Sequence, residues 1–187
     1  MAERESNLME VAENDSIENM YLTFMVEKET YAVNIGCVTE IVGMQRISGI
    51  PDVPDFIKGA MNLRGKVIPV MDQRLRFKLP AREYDERTTI IVLDLAGVPT
   101  GLVVDQVTDV LTIPPEKIDP PPHWLHDGKQ GVIRGLGKMN DSVSIILDVP
   151  HLLYDKELRV DLSKVAVNAQ AESEPSAPKR NGGRSDG

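Results

Sequence analysis

The side chains able to do chemistry are few and scattered. Arg64 stands in "NLRGKVIPVMD" (62–72), between an apolar residue and a glycine, in a turn that feeds a strand. A guanidinium so placed has four readings: a solvated turn charge, a phosphate or nucleic-acid contact, part of a catalytic site, or the anchor of a protein interface. Glu40 and Asp72 are the carboxylates on which an enzyme reading would rest. Asp72 and Asp148, however, each follow a strand pattern and precede an apolar helical one, so helix capping accounts for both. In "HWLHD", His123 and His126 have i,i+3 spacing with Asp127 beside them, but three prolines precede the segment and only His151 remains as a further histidine, so no metal site is expected. The single cysteine, Cys37, can form neither an intramolecular disulfide nor a cysteine metal cluster; it fits a reducing compartment and a role in small apolar packing. The chain carries no G-x-S-x-G elbow, no Walker or dinucleotide glycine fingerprint, no cysteine–histidine signature and no kinase nucleotide site. No catalytic residue, cofactor or metal is therefore expected.

Charge narrows the partners. With 29 acidic against 21 basic residues the net charge is −8, which repels a polyanion unless a basic patch is segregated, and the sequence shows no such patch. Aromatic residues make up 4%, too few for a surface that stacks nucleobases, so nucleic acid is not an expected partner. No run approaches the length of a membrane span, and the acidic start lacks the basic and apolar regions of a secretory signal, so a cytoplasmic protein without membrane insertion is expected. The head, 1–18, and the tail, 161–187, are too polar to bury much surface and are expected to be largely disordered. Between them, residues 19–160 suffice for one ordinary core divided into two lobes.

Positioning falls to strands. In "YLTFMV", Leu22, Phe24 and Val26 share one face; in "YAVNI", Tyr31, Val33 and Ile35 do, with "EKET" as the turn between them. "TTIIVLDL" is apolar on successive positions from Ile90 to Leu93, as a central strand covered on both faces would be. "KVIPVMD" and "SVSIILD" are further strands, and Pro69 assigns the first to an edge or a bulge because it cannot donate to a ladder. Helices are expected to be few and short, the clearest being "PHLLYDKEL" with Asp148 as cap and Pro150 at an early helical position.

The first half of the chain realigns on the second. At a shift of about 69 positions, Val38-Thr39-Glu40-Ile41 lies over Val107-Thr108-Asp109-Val110; at about 76, Ile57-Lys58-Gly59 lies over Ile133-Arg134-Gly135 and Asp72 over Asp148. The pseudo-repeats, roughly 20–80 and 88–155, imply two small β-barrels, each too small to be comfortable alone and therefore packed on the other with a main core at the junction. Arg64 falls over Asn140, an ordinary turn residue. The turn itself has no need of an arginine, which leaves the guanidinium free to hold another polypeptide. Glu40 falls over Asp109, which is also acidic, so serving a turn or a short helix end is one reading of both acids, beside a functional one for Glu40.

The stretch "FIKGAMNLRGKVIPVMDQRLRF", with "CVTEIVGMQRISGIPDVP" upstream and "GLVVDQVTDVLTIPPEKIDPPP" downstream, resembles the CheW-type chemotaxis coupling proteins over about Met20 to Tyr154. The resemblance implies a mainly β fold of two intertwined SH3-like five-stranded barrels around a shared apolar core, no enzymatic activity, and an adaptor joining the regulatory domain of a CheA-type histidine kinase to the cytoplasmic tips of chemoreceptors in membrane-associated arrays. Carried over residue by residue, the partner-facing surface is Ile35, Val38, Glu40, Ile41, Gly59, Asn62, Arg64 and Gly65, with a less sharply marked contribution from Val103 to Val110. The same resemblance admits an adaptor of a non-flagellar array serving pilus motility or second-messenger control. A stand-alone enzyme built on Glu40 and Asp72 is the remote alternative.

Overall fold

Alternation fixes the first hairpin. In β1 (Met20–Val26) and β2 (Glu29–Asn34) the side chains of Leu22, Phe24, Val26, Tyr31 and Val33 all enter one core, and Glu27-Lys28 makes the turn. The structure, a computed structural model, describes residues 17–123 and 131–154. The head before residue 17, the tail beyond 154, His126 and Asp127 lie outside the described residues. A 3-10 turn (Ile35–Cys37) leads to β3 (Val38–Gly43), then β4 (Ile47–Ser48), β5 (Ile57–Leu63), β6 (Lys66–Asp72) and helix α1 (Gln73–Arg76). The second half follows as β7 (Thr89–Leu95), β8 (Val98–Val104), β9 (Gln106–Thr112), β10 (Ile118–Asp119), β11 (Ile133–Met139), β12 (Ser142–Leu147) and helix α2 (Val149–Tyr154).

These strands form two six-stranded sheets, β10-β11-β12-β2-β1-β9 and β3-β7-β8-β6-β5-β4. Each has five long strands plus a two-residue strand, β10 or β4, which is why the count exceeds the five expected. Replacing each strand of one half by its counterpart in the other turns one sheet order into the other. Each sheet therefore takes two strands from one half and four from the other, joined by the parallel pairs β12–β2 and β6–β8. The chain crosses between sheets at Ile35–Cys37 and again at Asp105.

Both sheets roll up. Glu40 on β3, at one end of its sheet, meets Arg64 in the β5–β6 turn near the other end. In the partner sheet, Ile113 just after β9 packs with Ile146, Tyr21 and Ala32. Met61, Ile68, Val70, Ile90, Val92 and Val103 fill the barrel that contains β3, while a larger cluster from both sheets, including Phe24, Tyr31, Ile57, Met71, Ile91, Leu93, Leu102 and Leu152, joins the two. Ile90 and Val92 enter one cluster and Ile91 and Leu93 the other, so β7 is covered on both faces. Of the two places expected for Pro69, an edge or a bulge, the edge is not found: β6 lies between β5 and β8, and a bulge in β5 between Ile57 and Gly59 opposes Met71 and Val70 just after it. Pro69 is tolerated because the ladder to β8 begins one residue later, at Val70.

Both helix starts are capped as their sequences suggest. Asp72 Oδ1 accepts from the Arg74 N–H at 2.8 Å and Asp148 Oδ1 from the His151 N–H at 3.0 Å. The second Asp72 oxygen accepts from the Tyr84 hydroxyl at 2.8 Å; burial, then that bond, pushes the phenol well above its ordinary pKa. Asp72 is thus committed to structure.

Candidate partner-binding site

A β-bulge aims the first acid. The register of β3 against β7 shifts between Val38 and Glu40, leaving Thr39 unpaired, and its hydroxyl donates to the Val92 carbonyl at 3.2 Å. The repeat places the same irregularity at Thr108, whose hydroxyl shares a 2.8 Å hydrogen bond with that of Thr23. Glu40 is consequently a strand residue, which removes the turn or helix-end reading; its counterpart Asp109 is too, and accepts from the Val110 N–H at 2.7 Å. Immediately after each acid stands an exposed aliphatic, Ile41 (45% exposed) and Val110 (40%).

Arg64 and Gly65 lie between Leu63 and Lys66, which pair across the β5–β6 hairpin. Both have positive φ, 52° and 83°, the requirement of the two-residue I′ turn. Asn140, the register partner of Arg64, also has positive φ at 51°. Asparagine and glycine tolerate that conformation; an arginine is strained in it. The guanidinium is not free as expected. It forks onto Glu40, Nη1 donating to Oε2 at 3.0 Å and Nη2 to Oε1, yet remains 77% exposed while Glu40 is 23% exposed. Asn62 stabilises the turn by accepting from the Gly65 N–H at 2.8 Å.

The pair crosses the mouth of the barrel, beside an open groove of about 280 Å³ lined by Thr39, Leu63, Lys66, Ile68, Val92 and Asp94 among others. Glu40 on β3 and Arg64 of the β5–β6 hairpin therefore meet at that groove, with Asn62 and Gly65 in the same hairpin and Ile41 next along β3. Ile35 and Val38 stand apart, half-buried against the inter-barrel core. Gly59 is buried at a bulge in β5 with φ 136°, and a Cβ there would overlap the Ser48 carbonyl oxygen; it offers a partner no side chain and holds β4 in place. Of Val103 to Val110, Val103 and Val104 are core, and Thr108, Asp109 and Val110 present surface. Among the described residues no group of three or more His, Cys, Asp and Glu is gathered to hold a metal ion.

Sequence reasoning passed over a second ion pair. Asp105 accepts from Arg74 Nε at 2.8 Å and Nη2 at 2.7 Å, from the Glu27 N–H at 2.7 Å, and lies 3.6 Å from Arg82 Nη1. Burial alone would raise this carboxyl, but the Arg74 fork, the Glu27 N–H and the two positive charges outweigh it and hold Asp105 below the usual carboxylate range. The only available signal was that Asp105 ends the apolar run of β8 at the point where the chain changes sheets. Cys37 is half-buried, and burial raises its thiol, leaving it protonated and inert.

A rolled pair of interleaved sheets, with an acid followed by an exposed aliphatic on the third strand of each half, can now be set beside known proteins. The CheW-like domain matches residues 20–157. The chain belongs to the CheW-like domain family. A chemotaxis protein CheW of Klebsiella aerogenes is 35% identical over 144 residues, covering 77% of this chain and 87% of that one. One from Bacillus subtilis is 32% identical over 136 residues, covering 73% and 86%. The crystal structure of the scaffolding protein TtCheW from Thermoanaerobacter tengcongensis superposes with a TM-score of 0.67 at 32% identity, covering 73% of this chain and 93% of that one. This CheW-like domain accordingly has the two SH3-like subdomains of its family. Among the described residues no helix is long and apolar enough to cross a membrane.

Proposed function

We propose that this chain is a non-catalytic chemotaxis adaptor that couples the regulatory domain of a CheA-type histidine kinase to the cytoplasmic tips of chemoreceptors, working in the cytoplasm at membrane-associated arrays. One observation carries the reading: the barrel mouth presents a strained, exposed arginine whose fork is already oriented by Glu40, and the next residue along β3 is an exposed isoleucine, Ile41. An aliphatic knob gains by burial, and a preorganised guanidinium adds charge-assisted bonds to a partner's carbonyls or carboxylates. Glu40, Ile41, Asn62, Arg64 and Gly65 form the contact surface in this reading. Ile35 and Val38, on the inter-barrel core, and Gly59, which holds β4, lie outside it.

The test is binding of the full chain to the kinase regulatory domain and to receptor-tip fragments from the same cell, by titration calorimetry. Ile41→Asp should abolish at least one of the two contacts with the fold intact by circular dichroism. Undiminished binding to both partners would count against this surface.

A further inference from the structure

The two barrels are joined at two crossovers that are built differently. At the first, Asn34 Oδ1 accepts from the Gly36 N–H at 2.9 Å and its Nδ2 donates to the Glu18 carbonyl at 2.8 Å, both on the chain's own approach. The link to the other barrel there is apolar, through Ile35, Cys37 and Val38 on the shared core. At the second crossover one residue, Asp105, separates β8 of one sheet from β9 of the other. Its carboxylate takes the fork of Arg74, on the helix that ends β6, and the N–H of Glu27, in the hairpin turn of the opposite barrel. Its own N–H donates to the Met25 carbonyl at 3.1 Å. Arg74 and Asp105 side chains are each 12% exposed.

Apolar packing between the barrels is non-directional and permits sliding, whereas a buried fork with defined bond directions does not. We propose that Arg74–Asp105 is a latch that fixes the angle between the two barrels, leaving the Asn34–Cys37 crossover as the pivot. The latch thereby sets the spacing between the β3 edge with Ile41 and the β9 edge with Val110. Its consequence for assembly rests on the adaptor reading; the angle itself does not.

The test uses the full chain with Cys37→Ala and spin labels at Lys66→Cys and Ser142→Cys, exposed and register-equivalent positions of the two hairpins. Pulsed electron paramagnetic resonance should give one narrow distance distribution. Asp105→Asn, and separately Arg74→Met, should widen it about twofold while hydrogen exchange shows the strands of both barrels still protected. Distributions as narrow as the parent's in both variants would overturn the latch. So would widening accompanied by loss of protection throughout one barrel, since the pair would then be holding that barrel together and not orienting it. In unlabelled protein, Asp105→Asn should change binding of kinase domain alone or receptor tips alone by less than about twofold, yet lower simultaneous capture of both about tenfold. If the unsubstituted chain captures neither partner, the adaptor reading fails while the distance measurement still decides the latch.

Discussion

Arg64 has a left-handed backbone, as Glu27 and Lys78 also do, and differs from them in holding a long, mostly exposed guanidinium forked onto the carboxylate of another strand. Its exposed ion pair with Glu40 contributes at most about 1 kcal/mol, similar to what the left-handed conformation costs. The two terms offset, so Arg64→Gly should leave stability within about 0.5 kcal/mol of the parent in urea unfolding, yet weaken partner binding by about 1.5–3 kcal/mol. A variant both less stable and fully competent would reverse the argument. Gln73 makes the opposite case. Its amide is fully buried, and neither Oε1 nor Nε2 has a hydrogen-bond partner among the described residues. Gln73→Leu should stabilise the fold by about 1–3 kcal/mol, read as a higher melting temperature. The apolar setting of Arg64 was visible in the sequence, because its repeat partner Asn140 is an ordinary turn residue. Its bond to Glu40 was not, since 24 residues separate them and only the rolling of the sheet brings them together.

At the scale of elements, the bulges at Thr39, Thr108, Gly59 and Gly135 do the aiming. Gly59→Ala would force a Cβ into the Ser48 carbonyl and hold alanine at a φ that L-residues avoid. It should destabilise by more than about 2 kcal/mol, and hydrogen exchange should open at Ile47–Ser48 first. Protection unchanged at β4 would mean that this contact is dispensable. Strand identities could be read in advance because alternation reports burial directly, as Leu22, Phe24 and Val26 show. Pro69 could not be placed, because edge or interior is decided by where the neighbouring ladder begins, a tertiary fact. The turn or helix-end reading of Glu40 and Asp109 failed for a related reason. An acid following a polar residue looks like a turn unless the bulge that lifts it out of the ladder is known.

For the whole molecule, duplication was legible in the repeats, whereas intertwined barrels came only from the family resemblance. Repeats announce two similar units, and nothing in their spacing says that each sheet borrows strands from both halves. Interleaving makes the shared core and the Arg74–Asp105 latch part of one cooperative unit. Because Asp105 is held below the usual carboxylate range, it stabilises the fold at neutral pH, and that contribution is lost as the pH falls below about 4 and through its lowered value. Melting temperature should drop steeply on acidification, and less steeply for Asp105→Asn. Some acid sensitivity should persist in that variant, since hydrogen bonds from Arg87 and Thr88 and the charge of Arg82 also hold Asp85 low. Equal slopes in parent and variant would assign the acid sensitivity elsewhere. The most direct measurement of the central claim is a paired titration of parent and Arg64→Gly chains against the kinase regulatory domain and receptor tips. A folded variant of near-parental stability that loses at least about tenfold in affinity for one of them is expected; unchanged affinity for both would contradict an adaptor whose grip lies at that barrel mouth.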